Sequence, residues 1–430
     1  MDILIYTLKS AAYALTGPYW AFQLAVLAFI LHRKNVKTAA IQKMVMGQSL
    51  DKPFVLTISQ VVIGIFAGTA ASIIMSYLGI VFDETSMVDL IFLATVLFLF
   101  YNPRFVSIAY SGAVLCIFSL LLGYAADSAQ NPAFNILKLD VAAVMTMVAV
   151  ILFVEGILIV LDGRRGSVPV FANKEGRVMG GFILQRYWTV PVTLIIMLHD
   201  PALAISQSSV PMPQWWPMVK SSIPAEVLVN AVLMIIPFYG LMGFNSITFT
   251  MNRRRKTVET GVFKIVYSLA LFGFARLAFG NPSAEAALPL AALAIHEGWI
   301  FYERKRELAG KPKYISGDEG VMVLEVMPES VGAEMGIRSG DLLTSINGIR
   351  IEDEKMLMEN LSQSTNFIWI GIKREDGSLE QISYDKMFRG RQLGLLLVPK
   401  GVPEDNLVIK FDDSALKKAM DKIKNRENDI

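Results

Sequence analysis

Two apolar stretches of this sequence contain ionisable residues of types that do chemistry in proteins. Glu155 lies in one, and His296–Ile300 reads His-Glu-Gly-Trp-Ile in another. The second begins like the zinc-protease motif H-E-x-x-H, but Ile300 stands where the second zinc-binding histidine is required. With His32, His199 and His296 as its three histidines, the chain cannot place two of them one helical turn apart. We therefore expect no metal site.

Other catalytic signatures are also missing from the sequence. It contains no Gly-x-Ser-x-Gly nucleophile turn. It also has no Walker-type phosphate loop, and Gly180-Gly181 alone is a weak signal. A serine–lysine pairing stays open, although no serine stands in a recognisable nucleophile setting. We expect a protein that is not an enzyme and that binds no cofactor.

The two ionisable positions lie at matching depths in their apolar runs. At 1.5 Å per residue, Glu155 is about 9 Å from Leu161, and His296 is about 9 Å from Tyr302. Charged side chains are costly inside a membrane span and by default indicate function. We predict a Glu155–His296 pair, with the alternative that a hydrogen bond there only fixes helix packing.

The clearest binding chemistry lies between Gly320 and Val398. Ser330 is placed to cap a short helix that ends before Gly336. The pair Asn347-Gly348 between apolar runs predicts a tight hairpin turn, since both residues tolerate positive φ. A second helix is predicted over 353–364, with strands at 321–326, 367–372 and 379–384.

This order of elements resembles a bacterial PDZ domain, a fold that binds extended peptides as an added strand beside a helix. The resemblance implies a groove strand at the sequence Leu-Gly-Leu-Leu-Leu-Val near the end of the domain. The predicted peptide-binding residues on this strand and on the facing helix are Leu393, Gly394, Leu395, Leu396, Leu397, Met356, Leu357 and Leu361. The alternative is that Leu395 and Leu397 only complete the domain core.

The rest of the chain predicts a polytopic α-helical membrane protein. Hydrophobic residues make up 53% of its 430 residues, and charged residues concentrate after residue 302. Apolar runs of spanning length recur, and we predict about nine spans. They lie at 13–31, 54–81, 87–101, 105–125, 139–161, 184–205, 224–250, 262–280 and 286–302. The predicted domains are a transmembrane domain (1–302), a basic linker (303–317), a small α+β PDZ-like domain (318–400) and a charged tail (401–430).

Lysine and arginine are distributed asymmetrically between the predicted loops. They cluster in 32–52, 162–186, 251–264 and the segment after residue 302, whereas the alternate loops hold only Lys138 and Lys220. Basic loops stay in the cytoplasm. With nine spans, the PDZ-like domain is cytoplasmic and the N-terminus is outside. The basic loops are read as topology signals, so nucleic acid is not expected as a partner.

Two further stretches resemble the MinJ family of bacterial division-site membrane proteins. One is the opening, with Gly17–Trp20 and His32-Arg33-Lys34; the other runs from Leu293–Glu297 into the PDZ-like domain. The resemblance implies a scaffold at septum and poles that links DivIVA-like polar markers to MinD-like proteins of the MinCD division inhibitor. Homo-oligomerisation stays open. The alternatives are a regulator that presents substrates to a membrane protease, and a transporter with a regulatory PDZ domain.

Overall fold

The structure, a computed structural model, describes most of the chain. The described residues are 2–131, 136–174, 176–198, 215–219, 223–224, 227–228, 231–363, 367–385, 392–401 and 408–410. They form an apolar helical part followed by a small α+β domain. Most of the predicted tail lies outside these residues.

In the part of the chain that the structure describes, eight α-helices build the helical part. They are α1 (Asp2–Thr16), α2 (Pro18–Met46), α3 (Pro53–Leu78), α4 (Asp89–Tyr101), α5 (Ile108–Ala129), α6 (Val141–Asp162), α7 (Arg253–Ala278) and α8 (Pro282–Ala309). In the described residues, α3, α5, α6 and α7 are long and apolar enough to cross a membrane. The pair α1 and α2, bent by 66° at Gly17, qualifies as a fifth span if counted together.

Two of the nine predicted spans are wrong, because the chain there forms a β-hairpin. The strands of this region are β1 (Val81–Asp83), β2 (Val168–Lys174), β3 (Arg177–Leu198) and β4 (Val232–Thr248). Over the described residues 184–198 and 232–248, strands β3 and β4 stand where helices were predicted at 184–205 and 224–250, and they pair antiparallel from Phe182↔Thr248 to Leu198↔Val232. Hydropathy alone cannot distinguish a buried strand from a buried helix. The signals against a helix were Pro191, Pro237 and many β-branched residues.

On the edge of β3 opposite β4, helix α3 covers the middle of the strand, between the residues that pair with β2 and those that pair with β1. A Cβ atom at Gly64 would lie 2.0 Å from the carbonyl oxygen of Thr189, and one at Gly68 would lie 2.1 Å from that of Pro191. The Ser72 hydroxyl accepts a hydrogen bond from the Thr193 amide at 2.8 Å. Glycine thus permits backbone-to-backbone packing, and a hydroxyl replaces a missing strand partner.

The helical part has two distinct ends. At one end, the Gln42 amide donates to the Ser167 carbonyl at 2.9 Å, and the Arg253 guanidinium donates to the Ser167 hydroxyl at 3.0 Å. There the last turn of α2 meets the chain after α6 and the start of α7. At the opposite end, Ile3, Val81 and Leu233 share one buried cluster with the end of β3. The α+β domain lies at the first end.

The α+β domain confirms the predicted order of elements. Its elements are β6 (Val321–Val326), α9 (Val331–Glu334), β7 (Leu342–Ile346), β8 (Ile349–Arg350), α10 (Glu354–Gln363), β9 (Ile368–Lys373), β10 (Leu379–Tyr384) and β11 (Leu395–Leu397). Ser330 caps α9 by accepting from the Ala333 amide, and Gly336 has φ +80°. The φ angles of Asn347 and Gly348 are 49° and 83°, as the hairpin turn requires.

The stretch predicted as a basic linker is structured. Its first residues, 303–309, continue α8, and β5 (Tyr314–Ile315) pairs with Met179 and Gly180 of β3. Glu307 is buried and accepts hydrogen bonds from the Phe249 and Thr250 amides at 3.0 and 3.1 Å. A short strand of the tail, β12 (Val408–Lys410), lies parallel to β2. The two parts of the chain are therefore joined by sheet pairing as well as by the covalent connection.

Candidate functional site

The candidate site is the outer edge of β11. This domain's sheet has the order β10-β9-β7-β6-β11, so β11 is an edge strand. It pairs antiparallel with β6, with Leu395 opposite Val326 and Leu396 opposite Glu325. A peptide strand adds to a sheet at such an edge, where main-chain groups have no strand partner within the sheet.

The structure brings most of the predicted groove residues together. Leu357 and Leu361 of α10 belong to the same buried cluster as Leu393 and Leu397, and Leu395 packs against it. Met356 is half-buried on α10. The alternative role, completing the core, therefore describes Leu395 and Leu397 well. Whether the same strand also receives a peptide stays a prediction.

Gly394 shapes the loop before β11. Its φ is +68°, and a Cβ atom there would lie 2.3 Å from the Cβ of Ser330. The carbonyls of Gly394 and Leu393 accept from the amides of Met327 and Gly332, at 2.8 and 2.9 Å. The loop is thus anchored on α9, and glycine is needed here by the backbone itself. Gly394 was predicted as a peptide-binding residue, and whether it also contacts a ligand stays a prediction.

The second face of β11 packs against the helical part. Leu396 and Val398 join Leu324 of β6 in an apolar cluster with Phe171 and Phe182 of β2 and β3. A Cβ atom at Gly180 would lie 2.8 Å from a Leu324 methyl and 3.0 Å from a Val398 methyl, so the absence of a side chain makes room for both. We call this cluster the docking interface.

An ion pair lies at the edge of the docking interface. The Arg253 guanidinium, at the start of α7, lies 2.6 Å from one Glu325 carboxylate oxygen and 3.1 Å from the other. It also lies 4.6 Å from the centre of the Phe182 ring. Burial raises the pKa of the Glu325 carboxyl, and the Arg253 charge acts in the opposite direction. No local sequence pattern predicts this pair, and Arg253 was counted among the basic loop residues.

Glu155 has a different hydrogen-bond partner from the one predicted. Its carboxylate is fully buried and accepts from the Lys264 ammonium at 2.5 Å. His296 instead lies edge-on to the Tyr110 ring, with centroids 4.7 Å apart. Lys264 had been assigned to a loop, but it lies within α7 on the buried face. The repeat Thr260, Lys264, Ser268, four residues apart, was the available signal.

A second buried polar group joins α6 to β3. One carboxylate oxygen of Asp162 accepts from the Arg186 guanidinium at 2.8 Å and from the Trp188 indole at 2.9 Å. Arg186 is 1% exposed, although it had been counted in the basic loop 162–186. A buried charge needs a partner with good geometry. The group therefore fixes where the hairpin enters the helical part.

Comparisons with known proteins agree with this architecture. A family model for the PDZ domain matches residues 322–364. The chain is 24% identical over 425 residues to the "Cell division topological determinant MinJ" of Bacillus subtilis (strain 168), covering 93% of this chain and 97% of that protein. It is 22% identical over 245 residues to the "Probable cell division topological determinant MinJ" of Lacticaseibacillus paracasei, covering 54% of this chain and 59% of that protein. The chain is therefore a homologue of MinJ that carries a PDZ domain after its apolar helices.

Proposed function

We propose that this protein is a non-enzymatic membrane scaffold for division-site selection. The observation that carries the proposal is the similarity to a cell division topological determinant along nearly the whole of both chains. In this proposal the scaffold links DivIVA-like polar markers to the MinD-like proteins of the MinCD inhibitor, at the septum and poles. The PDZ domain supplies a peptide-binding surface for such partners.

The proposed topology places the PDZ domain in the cytoplasm and the N-terminus outside. The lysines and arginines of the sequence concentrate at the end of the helical part where the PDZ domain lies. The β3–β4 hairpin leaves this end and returns to it, so replacing two helices by two strands does not change which end the C-terminus reaches. Backbone in a bilayer must be hydrogen-bonded internally. The pairing with β4 meets that need along one edge of β3, and the Thr193–Ser72 bond meets it for one amide on the other edge.

Cysteine labelling tests this topology. Gln48 and Thr85 are exposed residues at opposite ends of the helical part, and the native Cys116 is buried. In intact cells, an impermeant maleimide should label Thr85→Cys but not Gln48→Cys; after permeabilisation both should react. Labelling of Gln48→Cys in intact cells would contradict the topology.

We further propose that β11 receives a partner peptide as an added strand. Main-chain hydrogen bonds along β11 would give affinity, and α10 would meet alternate side chains. A dissociation constant near 1 μM, about −8 kcal/mol, suffices for partners that share a membrane. Met356, half-buried on α10, would face the peptide, whereas Met358 on the same helix is 50% exposed.

Complementation tests the function. A fluorescent fusion of this chain, expressed in Bacillus subtilis that lacks its own MinJ, should gather at septa and poles and restore parental septum positions. Met356→Glu should reduce recovery of division proteins in a pull-down, and Met358→Glu serves as the matched control. Uniform membrane fluorescence with no restoration would contradict the scaffold. Recovery of a membrane protease in place of division proteins would favour the substrate-presenting regulator.

A further inference from the structure

The two faces of β11 belong to different parts of the molecule. Leu395 and Leu397 point into the PDZ core, whereas Leu396 and Val398 belong to the docking interface. This alternation is the ordinary two-residue period of a strand. The strand that would receive a peptide is therefore packed on one face by the PDZ domain and on the other by the helical part.

The neighbouring strand β6 carries the ion pair of this interface. Glu325 stands opposite Leu396 in the register of the two strands. Its carboxylate is 7% exposed and is held by Arg253, whose side chain also covers the Phe182 ring. The contact therefore acts on β11 through β6, the strand with which β11 pairs.

The segment that joins the two parts also holds the end of β11. The Ser316 hydroxyl donates to the Val398 carbonyl, and the Val398 amide donates to the Met322 carbonyl at 2.9 Å. Two residues before Ser316, the Tyr314 ring lies edge-on to Phe182, with centroids 5.6 Å apart. The strand end is thus tied to a segment that is itself paired with β3.

We infer that the helical part positions the peptide groove, with Arg253 and Phe182 as positioning residues that hold β6 and β11 in strand geometry. The inference rests on the proposed function of β11 as the peptide-receiving strand. A strand of three residues at a sheet edge has little support of its own. Groups held in the binding geometry before the ligand arrives lose less entropy on binding. Docking and peptide binding should therefore strengthen one another.

Amide hydrogen exchange on the full-length protein in lipid nanodiscs tests the inference without any ligand. The variants are Glu325→Gln, which removes the ion pair and keeps the side-chain shape, and Arg253→Gln, which removes the ion pair together with the guanidinium group over Phe182. Lys373→Gln is the control, because its ion pair with Glu319 lies on the PDZ surface, with side chains 38% and 67% exposed. Both interface variants should exchange about 5-fold faster or more over residues 392–398 and 178–182. Strand β9 should stay protected, which shows that the domain remains folded.

Three results would overturn the inference. The first is unchanged exchange over 392–398 while 178–182 opens, which would separate docking from the groove strand. The second is unchanged exchange over both stretches, which would show that the ion pair does not hold the interface. The third is equal acceleration over β9, which would show general unfolding of the domain instead of loss of positioning.

A peptide arm distinguishes this inference from the proposed function. A displayed library of C-terminal nonapeptides is selected on the wild-type protein in nanodiscs, and the most enriched peptide is the probe. Its Kd should rise about 5-fold or more in Arg253→Gln and stay unchanged in Lys373→Gln. A Kd that is the same in Arg253→Gln would also overturn the inference. Failure to enrich any peptide would count against the groove, while the exchange experiment still decides whether docking orders β11.

Discussion

Replacing Gly68 by alanine should lower the stability of the folded protein, because α3 packs directly on the hairpin backbone at this residue. The new Cβ atom would lie 2.1 Å from the Pro191 carbonyl oxygen, whereas such contacts are essentially never below 3.0 Å. The helix and strand must therefore separate by about 1 Å at a contact between two backbones. A side-chain rotation cannot relieve this contact, because it joins a Cβ atom on one backbone to a carbonyl oxygen of the other.

The net effect has two opposing terms. Overpacking a buried contact costs about 1–3 kcal/mol. Replacing glycine by alanine within a helix stabilises the helix by up to about 1 kcal/mol. Gly68→Ala should thus destabilise the protein by up to about 2 kcal/mol. Gly273→Ala in α7 is the matched control, because nothing lies within 4 Å of its added Cβ atom, and this variant should be neutral or stabilised by up to about 1 kcal/mol.

The assay is thermal unfolding of the purified full-length proteins in one detergent at one heating rate, since unfolding of such proteins is usually irreversible. The expected order of unfolding temperatures is Gly68→Ala, then wild type, then Gly273→Ala at or above wild type. A Gly68→Ala protein as stable as Gly273→Ala would refute the reasoning. It would mean that α3 does not lie against the hairpin backbone at this distance.

Three further changes probe other contacts. Lys264→Met leaves the Glu155 carboxylate buried without its partner and should cost about 3–5 kcal/mol, whereas the double change with Glu155→Leu should recover most of the unfolding temperature. Asp162→Ala removes the acceptor for Arg186 and for a buried indole, so the protein should unfold several degrees lower and Arg186→Met should partly rescue it. Gly394→Ala places a side chain at a residue with a φ of +68° and against Ser330 at the start of α9, so it should destabilise the loop by about 1–3 kcal/mol. This loss should appear as faster amide exchange over 392–398, and unchanged exchange there would contradict the loop geometry.

The PDZ fold could be predicted because its signals are local. The cap at Ser330, the positive φ at Gly336 and the turn at Asn347-Gly348 each depend on the chemistry of a few neighbouring residues. The bounds of β10 agree with the prediction at both ends, and those of α10 differ by one residue at each end. Where residues fix their own backbone conformation, the local structure can be predicted without knowing what packs against it.

The β3–β4 hairpin could not be predicted from hydropathy, because the same apolar residues suit a helix or a strand that is buried on both faces. Its strand form depends on partners far along the chain: β4 on one edge, and Gly64, Gly68 and Ser72 of α3 on the other. Apolar content predicted that the residues now seen in the two strands, 184–198 and 232–248, would be removed from water. Tertiary contacts decided how its backbone groups are hydrogen-bonded.

The sequence by itself determined that Glu155 would need a polar partner, since burial of a charge requires one. It could not determine which partner, because depth along a helix is known from sequence while rotation about the helix axis and helix order are not. The tertiary structure makes Lys264 the partner of Glu155, because α6 packs on α7 where Gly156 and Gly261 allow the two helices to approach closely. In the same way, the unbroken apolar run Leu395–Val398 determined that β11 has two apolar faces, since successive side chains of a strand point to opposite faces. Only the docking of the PDZ domain decided that the second face meets Phe182 and not water, because such contacts join residues that no local pattern connects.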